Sequence, residues 1–191
     1  RIGFRRTLVT GMLLMAAGLV AFATLADHNG GYLSVLPGIL LLGAGVGLSM
    51  SPSTAAITAS LPEEKQGVAS ALNDTVREMG GAVGIALIGS VLNSAYQANI
   101  EPATSALPPA AAEPVNEGIG GALAVSAQMG AEGTALLDSA RQAFVDGMPP
   151  ALFLAAGISL AAAIYTALRG PKTAAEAEPR LHPPEPSDSS G

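Results

Sequence analysis

The sequence predicts an all-α membrane protein with four transmembrane helices. Hydrophobic residues make up 49% of its 191 residues and charged residues only 13%, about half the charged fraction that is usual in a soluble domain. Four apolar runs are long enough to cross a bilayer as helices. Nearly all lysines and arginines lie on one side of the membrane that these runs define.

The first predicted helix covers residues 8–26 and follows a basic cluster at 1–6. A secretory signal peptide is an alternative, because Thr24-Leu25-Ala26 resembles a cleavage site. The apolar run is longer than the usual core of a signal peptide, and three more apolar runs follow it, so we favour a membrane helix. The polar turn at 27–31 then connects to the second helix, and its His28 has no neighbouring partner for chemistry.

The second predicted helix covers residues 32–61, which is longer than one upright crossing requires. We therefore expect it to tilt or to protrude from the bilayer. Pro52 lies in its interior, where a missing N–H kinks a helix, and membrane proteins tolerate such a kink where neighbouring helices cover it. Pro52 is a candidate hinge, although a fixed kink explains the residue equally well.

The third predicted helix covers residues 67–93 and follows a short charged turn at 62–67. It carries Asp74, Arg77 and Glu78 near its start. Charges close to the bilayer are costly unless they are paired or face water, so we expect these side chains to face protein or a water-filled vestibule. The i, i+3 spacing permits an ion pair between Asp74 and Arg77. The alternative is a helix end whose charges are solvated among the lipid headgroups.

Small residues predict close packing on the second and third helices, because they let a neighbouring backbone approach. The residues concerned are Gly43, Gly45 and Gly47 on the second helix and Gly80, Gly81 and Gly84 on the third.

The stretch 94–147 is rich in Ala, Pro, Gly and Glu and contains no long apolar run. We expect a disordered or loosely packed loop that ends in a short amphipathic helix at about 134–146. The fourth transmembrane helix is predicted at 149–169, with two prolines in its first turn. The tail 170–191 is rich in Pro, Glu and Ser and is expected to be disordered.

The distribution of basic residues predicts the orientation. With four crossings, both ends and the turn at 62–67 share one side, and this side carries every lysine and arginine except Arg141. The positive-inside rule therefore places both ends in the cytoplasm and the loop 94–147 outside, in a multi-pass protein of the cell membrane.

Catalytic and cofactor motifs are missing from the sequence. It contains neither a phosphate-binding Gly-x-x-x-x-Gly-Lys-Ser/Thr loop nor a His-Glu-x-x-His zinc motif, and it has no cysteine. We therefore predict no enzymatic activity, no cofactor and no metal site. The net charge of −6 comes from loops and tails and argues against a nucleic-acid partner.

A set of spaced residues resembles the end of the fourteen-helix drug:proton antiporter family of the major facilitator superfamily. Its elements are Gly43-Ala44-Gly45-Val46-Gly47, Ser51-Pro52, Pro62, Gly67-Val68-Ala69-Ser70-Ala71, Asn73, Arg77, Gly80-Gly81-Ala82 and Gly84. The opening Arg1-Ile2-Gly3-Phe4-Arg5-Arg6 is similar to the end of the superfamily's cytoplasmic loop motif, and Ala143-Phe144 and Gly147 also match. Because the chain starts at Arg1 within that motif, we expect a C-terminal fragment.

The resemblance implies a proton-coupled exporter of drugs or other small molecules that works by alternating access. Its expected partners are the missing N-terminal half of the same transporter, the lipid bilayer, a small-molecule substrate and protons. The resemblance also implies a cytoplasmic gate, a charge network of Asp74, Arg77, Glu78, Arg5 and Arg6. Glu78 departs from the family, which often has a neutral glutamine at this position.

Two other functions agree with the same residues. A self-standing four-helix membrane protein could assemble through its glycine faces as a structural or accessory subunit. A secreted soluble protein would follow if the first helix were a signal peptide.

Overall fold

A computed structural model describes residues 3–26, 30–59 and 65–170, and these residues form six α-helices. The helices are α1 (Phe4–Leu25), α2 (Gly31–Ala59), α3 (Gln66–Thr104), α4 (Pro109–Glu117), α5 (Ile119–Met129) and α6 (Gly133–Arg169). A single 3₁₀ turn, Gly130–Glu132, connects α5 to α6.

The predicted fold class is confirmed. Four helices, α1, α2, α3 and α6, are long and apolar enough to cross a membrane. The part of the chain that the structure describes contains no β-strand. Parts of three predictions, the polar turn at 27–29, the charged turn at 60–64 and the tail at 171–191, lie outside the described residues. The backbone of α2 is helical through Pro52, but the side-chain surroundings of this proline lie outside the described part as well.

Four buried glycines hold α1 against α2. Gly11 and Gly18 are seven residues apart on α1, and Gly38 and Gly45 are seven residues apart on α2. A Cβ atom added to Gly45 would lie 2.7 Å from the carbonyl oxygen of Gly11, and one added to Gly18 would lie 3.0 Å from that of Gly38. The backbones can approach this closely only because neither helix has a side chain at the crossing points. We call these four residues the glycine seam.

The other face of α1 packs against α6. The hydroxyl of Ser159 donates to the carbonyl oxygen of Met12 at 3.0 Å, and the hydroxyl of Thr166 donates to the Met12 sulfur at 3.7 Å. Hydrogen bonds between polar side chains and a neighbouring helix stabilise helix pairs in lipid, where no water competes for them. Since α3 also packs against α6, α6 lies between α1 and α3.

Within the described chain, the other glycines that predicted close packing have no neighbouring helix. Nothing lies within 4 Å of a Cβ atom added to Gly43, Gly47, Gly80, Gly81 or Gly84. Their packing against another helix therefore stays a prediction, and it requires a partner other than the helices that the structure describes.

The prediction of a loop over 94–147 was wrong for most of this stretch. Helix α3 continues to Thr104, and α4 and α5 form a helical hairpin. The short helix predicted at about 134–146 is helical in the structure, but it is continuous with the fourth long helix, so α6 begins at Gly133 instead of at 149. The prediction failed because the prolines were taken as a sign of a loop. Pro109 occupies a first helical turn, where its missing N–H costs nothing, and Pro102 lies in the last turn of α3. Tertiary packing stabilises these short helices despite their weak intrinsic propensity.

Residues 96–104 of α3, α4, α5 and residues 133–147 of α6 together form a small four-helix bundle, which we call the cap. Short turns connect the four segments, so neighbouring segments run antiparallel. Two of these turns use glycines with positive φ, Gly118 at 154° and Gly130 at 65°. The core of the cap consists of Tyr96, Ile100, Val115, Ala122, Leu136, Ala140 and Ala143.

Tyr96 connects α3 to α4 within the cap, because its buried hydroxyl donates to the carbonyl oxygen of Val115 at 3.0 Å. We expect Tyr96→Phe to lower the stability of the protein by about 1 kcal/mol, since it leaves that buried carbonyl without its donor. Thermal unfolding of the purified protein in detergent measures the change. Tyr165→Phe is the matched control, because Tyr165 is 69% exposed; an equal effect of both changes would contradict the role of this hydrogen bond.

Candidate functional site

The cytoplasmic gate residues predicted on α3 lie in its first third, and all three are exposed. Asp74, Arg77 and Glu78 follow the start of the helix at Gln66 by eight to twelve residues. Between Ala69 and Tyr96, no residue of α3 is buried. The charges therefore lie on a helix whose surface is largely uncovered within this chain.

None of these three charges forms an ion pair within the described residues. Asp74 and Arg77 do not form the pair that their spacing permits, since the one salt bridge found among those residues joins Arg141 to Asp138 on the cap. Asp74 instead accepts a long hydrogen bond of 3.5 Å from the side-chain amide of its neighbour Asn73. The guanidinium of Arg77 is thus available to an anionic group outside this chain.

Arg77 lies on the wall of a groove of about 310 Å³ that runs between α2 and α3 and reaches α1. The lining residues are Met15, Val46, Ser49, Met50, Thr54, Asn73, Val76 and Arg77. Most of this lining is apolar, and Arg77 is the one charged residue among the lining residues. The Ser49 hydroxyl oxygen is buried without a hydrogen-bond partner among the described residues.

The two arginines predicted on α1 have different surroundings. The Nε of Arg5 donates to the carbonyl oxygen of Thr166 at 3.2 Å, and the backbone N–H of Gly170 donates to the same oxygen at 2.9 Å. Arg5 thus binds the carboxyl end of α6, where unpaired carbonyls and the helix dipole favour a cation. Arg6 is exposed and makes no such contact. No ion pair in the described residues connects either arginine to Asp74 or Glu78.

A comparison with known families identifies the family of this chain. A family model described as the Major Facilitator Superfamily matches residues 1–108, which is more than half of the 191 residues. The chain belongs to the Major Facilitator Superfamily. It is therefore a multi-pass membrane protein from a family of transporters, and its four long apolar helices are the candidate membrane spans.

Relatives of this superfamily chain carry names from drug resistance. Multidrug efflux pump LfrA of Mycolicibacterium smegmatis is 38% identical over 157 residues, which cover 82% of this chain and 31% of that protein. The Tetracenomycin C resistance and export protein of Streptomyces glaucescens is 31% identical over 173 residues, or 85% of this chain and 31% of that protein. Multidrug resistance protein Stp of Mycobacterium tuberculosis is 34% identical over 102 residues, or 53% of this chain and 19% of that protein.

This chain spans about a third of the length of LfrA and of the Tetracenomycin C resistance and export protein. No solved structure matches this chain.

The sequence did not predict the bond from Arg5 to Thr166, and of the glycine seam it predicted only Gly45. The bond from Arg5 to Thr166 joins residues 161 positions apart, and no local pattern predicts such a contact. The whole glycine seam could have been predicted, because equal seven-residue spacings on two adjacent helices place small residues on one face of each.

We expect Arg5→Ala to lower the free energy of unfolding of the protein by about 1–2 kcal/mol. The change removes a charge-assisted hydrogen bond and a cation from the carboxyl end of α6. Arg6→Ala is the matched control and should leave stability unchanged, since Arg6 is exposed. The loss of folded protein on heating in detergent measures both effects. Equal stabilities of the two variants would show that Arg5 has no structural role.

Proposed function

We propose that the complete protein is a proton-coupled exporter of drugs or other small molecules, and that this chain supplies its last four membrane helices. The names of the relatives support this proposal, since efflux and export proteins match 82% and 85% of the chain. The proposal includes the fourteen-helix antiporter subtype, which rests on the motif residues, and excludes an enzymatic reaction.

The observation that carries the proposal is the placement of Arg77. Arg77 has no ion-pair partner among the residues that the structure describes, and it lies on the wall of an apolar groove, on a helix that buries no residue between Ala69 and Tyr96. A membrane helix with an uncovered surface and a free cation requires a partner, because both lipid and protein interiors penalise an unpaired charge. In our proposal, the partner is the preceding half of the same transporter.

The proposed gate works by making and breaking contacts between the two halves. When the transporter is closed to the cytoplasm, the other half covers α3, and a carboxylate from it pairs with Arg77 in the groove. Opening exposes this pair to water, where the attraction between the charges is much weaker. Asp74, Glu78 and Arg6 are exposed and are available for further pairs. Arg5 contributes by fixing α6, because its guanidinium already binds Thr166.

We propose that the protein lies in the plasma membrane, with both ends of the chain and the turn between α2 and α3 in the cytoplasm. The cap then lies outside the cell. Of the six lysines and arginines within residues 3–26, 30–59 and 65–170, Arg141 is the one on the cap side of the four spans.

Transport by the complete protein in lipid vesicles tests the proposed function. A lipophilic fluorescent dye serves as the substrate, and a pH gradient of either sign is imposed across the membrane. We expect dye to move against its gradient when protons flow in the opposite direction, and to stop when an ionophore collapses the pH gradient. Dye movement that ignores the pH gradient would contradict proton coupling, and no movement of any tested dye would contradict the exporter.

A further inference from the structure

The cap joins α3 and α6 at one end through a densely packed core. Tyr96 and Ile100 of α3 are 2% and 0% exposed, and Ala140 of α6 is 0% exposed. Two hydrogen bonds add to this packing. The hydroxyl of Tyr96 donates to α4, and the side-chain amide of Asn99 donates to the carbonyl oxygen of Ala143 on α6 at 3.4 Å. Separating α3 from α6 at this end would expose most of the cap core to water.

Below the cap, α3 is buried much less by its neighbours than α6 is. Helix α3 has large apolar side chains that are mostly exposed, including Val83 at 58% and Ile85 at 77%. Helix α6 buries Ala151, Ala156 and Ala163 along its membrane part and also bonds α1 through Ser159. Apart from Ala69 near its start, every buried residue of α3 therefore lies in the cap, whereas α6 has buried residues along most of its length.

At the junction between the cap and the membrane part, α3 and α6 are in close contact, and α6 is easy to bend just below this contact. A Cβ atom added to Gly147 would lie 3.1 Å from the backbone nitrogen of Tyr96 and 3.5 Å from the Cβ of Ala95, so the two helices touch at this point. Pro149 and Pro150 follow directly. Two successive prolines cannot donate to the carbonyls four residues earlier, which makes the helix easier to bend just below the contact.

We propose that the cap is a strap that keeps α3 and α6 together at this end in every state of the transporter, and that α3 pivots at the strap. Arg77 lies 19 residues from Tyr96 along α3, or about 28 Å at ~1.5 Å per residue. A tilt of about 10° at the strap moves Arg77 by about 5 Å, enough to break an ion pair. The strap thus converts a small rotation at the cap into opening or closing at the far end of α3. This inference rests on the proposed function only in requiring a conformational cycle.

A disulfide across the junction tests the strap in the complete transporter. The Cβ separation of 3.5 Å between Ala95 and a side chain at position 147 lies within the range of natural disulfides. We therefore introduce Ala95→Cys with Gly147→Cys in a background without other cysteines; this chain contains none. Mass spectrometry of the linked peptides measures how fast the disulfide forms, and dye export measures its effect.

We expect the disulfide to form at the same rate at rest and during transport, and export to stay within about twofold of the reduced protein. Ala95→Cys and Gly147→Cys alone, treated with the same oxidant, are the matched controls. A disulfide that forms and stops export, with recovery after reduction, would show that α3 and α6 separate and would overturn the strap. Failure of the disulfide to form in folded protein would overturn it too.

A second pair keeps the test valid if a side chain at position 147 prevents folding. Asn99→Cys with Ala143→Cys, bridged by a short thiol-reactive cross-linker, joins the same two helices about one turn further into the cap. The two proposals fail in different ways. Absence of export before any cross-linking counts against the exporter, whereas loss of export only after cross-linking counts against the strap.

Discussion

Replacing Arg77 by alanine in the complete transporter is expected to abolish export, or to reduce it tenfold or more, without lowering the amount of protein in the membrane. Arg77 is exposed, lies on the wall of the groove between α2 and α3, and has no ion-pair partner among the described residues. Its loss therefore removes no contact that holds this chain together. In the proposed gate it removes the cation that pairs with the other half, and coupling of about 1–3 kcal/mol between two sites corresponds to roughly 5- to 150-fold in their equilibrium.

Two further variants make the Arg77 result specific. Arg141→Ala removes an exposed arginine whose salt bridge to Asp138 lies on the cap, and it should leave export unchanged, because exposed ion pairs contribute little. Arg77→Lys keeps the charge and should restore part of the activity, with less than full recovery because lysine lacks the two-pronged geometry of a guanidinium. Normal export by Arg77→Ala would remove this residue from the mechanism.

The largest expected effect on folding comes from Gly45→Leu in the glycine seam. A Cβ atom at this position would lie 2.7 Å from the backbone oxygen of Gly11 and 2.6 Å from Cγ of Met15. The backbone cannot move aside without separating α1 from α2. We expect a loss of about 3 kcal/mol, the upper end of the usual cost of overpacking. The yield of monodisperse protein after detergent extraction and its unfolding temperature measure this loss.

Gly47→Leu is the matched control, because it adds the same side chain to the same helix where nothing lies within 4 Å. We expect the Gly47 variant to fold with normal yield if lipid covers this face. A loss from both variants would indicate that a helix outside this chain packs against Gly47, as its small size predicts. Normal yield and stability of Gly45→Leu would contradict the seam.

The sequence predicted the membrane helices well because a long apolar run has few alternatives to a membrane helix. The first helix was expected at 8–26 and is found at Phe4–Leu25, and the fourth was expected at 149–169 and ends at Arg169. Both apolar runs thus lie largely within helices of the structure, and the short helix predicted at about 134–146 is part of α6. The continuation of α3 to Thr104 was not predicted.

The rest of the cap, apart from the helix predicted at about 134–146, was missed because its helices depend on contacts between distant residues. Helix α4 contains two prolines within nine residues, and local propensity therefore argues against a helix. Its packing against Tyr96, nineteen positions away in sequence, compensates for that propensity. The same limit applies to the candidate site: residue types identified Arg77, but only the tertiary structure shows the groove beside it and assigns Arg5 to the end of α6.

In the proposed arrangement, four membrane helices place the cap on one side of the bilayer and the turn between α2 and α3 on the other. Single cysteines at Glu117 and Lys65, both exposed, test it in intact cells that express the complete protein without other cysteines. A membrane-impermeant maleimide should label Glu117→Cys in intact cells and Lys65→Cys only after the cells are opened. Labelling of both positions, or of Lys65→Cys alone, in intact cells would contradict the four-span arrangement with its cytoplasmic gate.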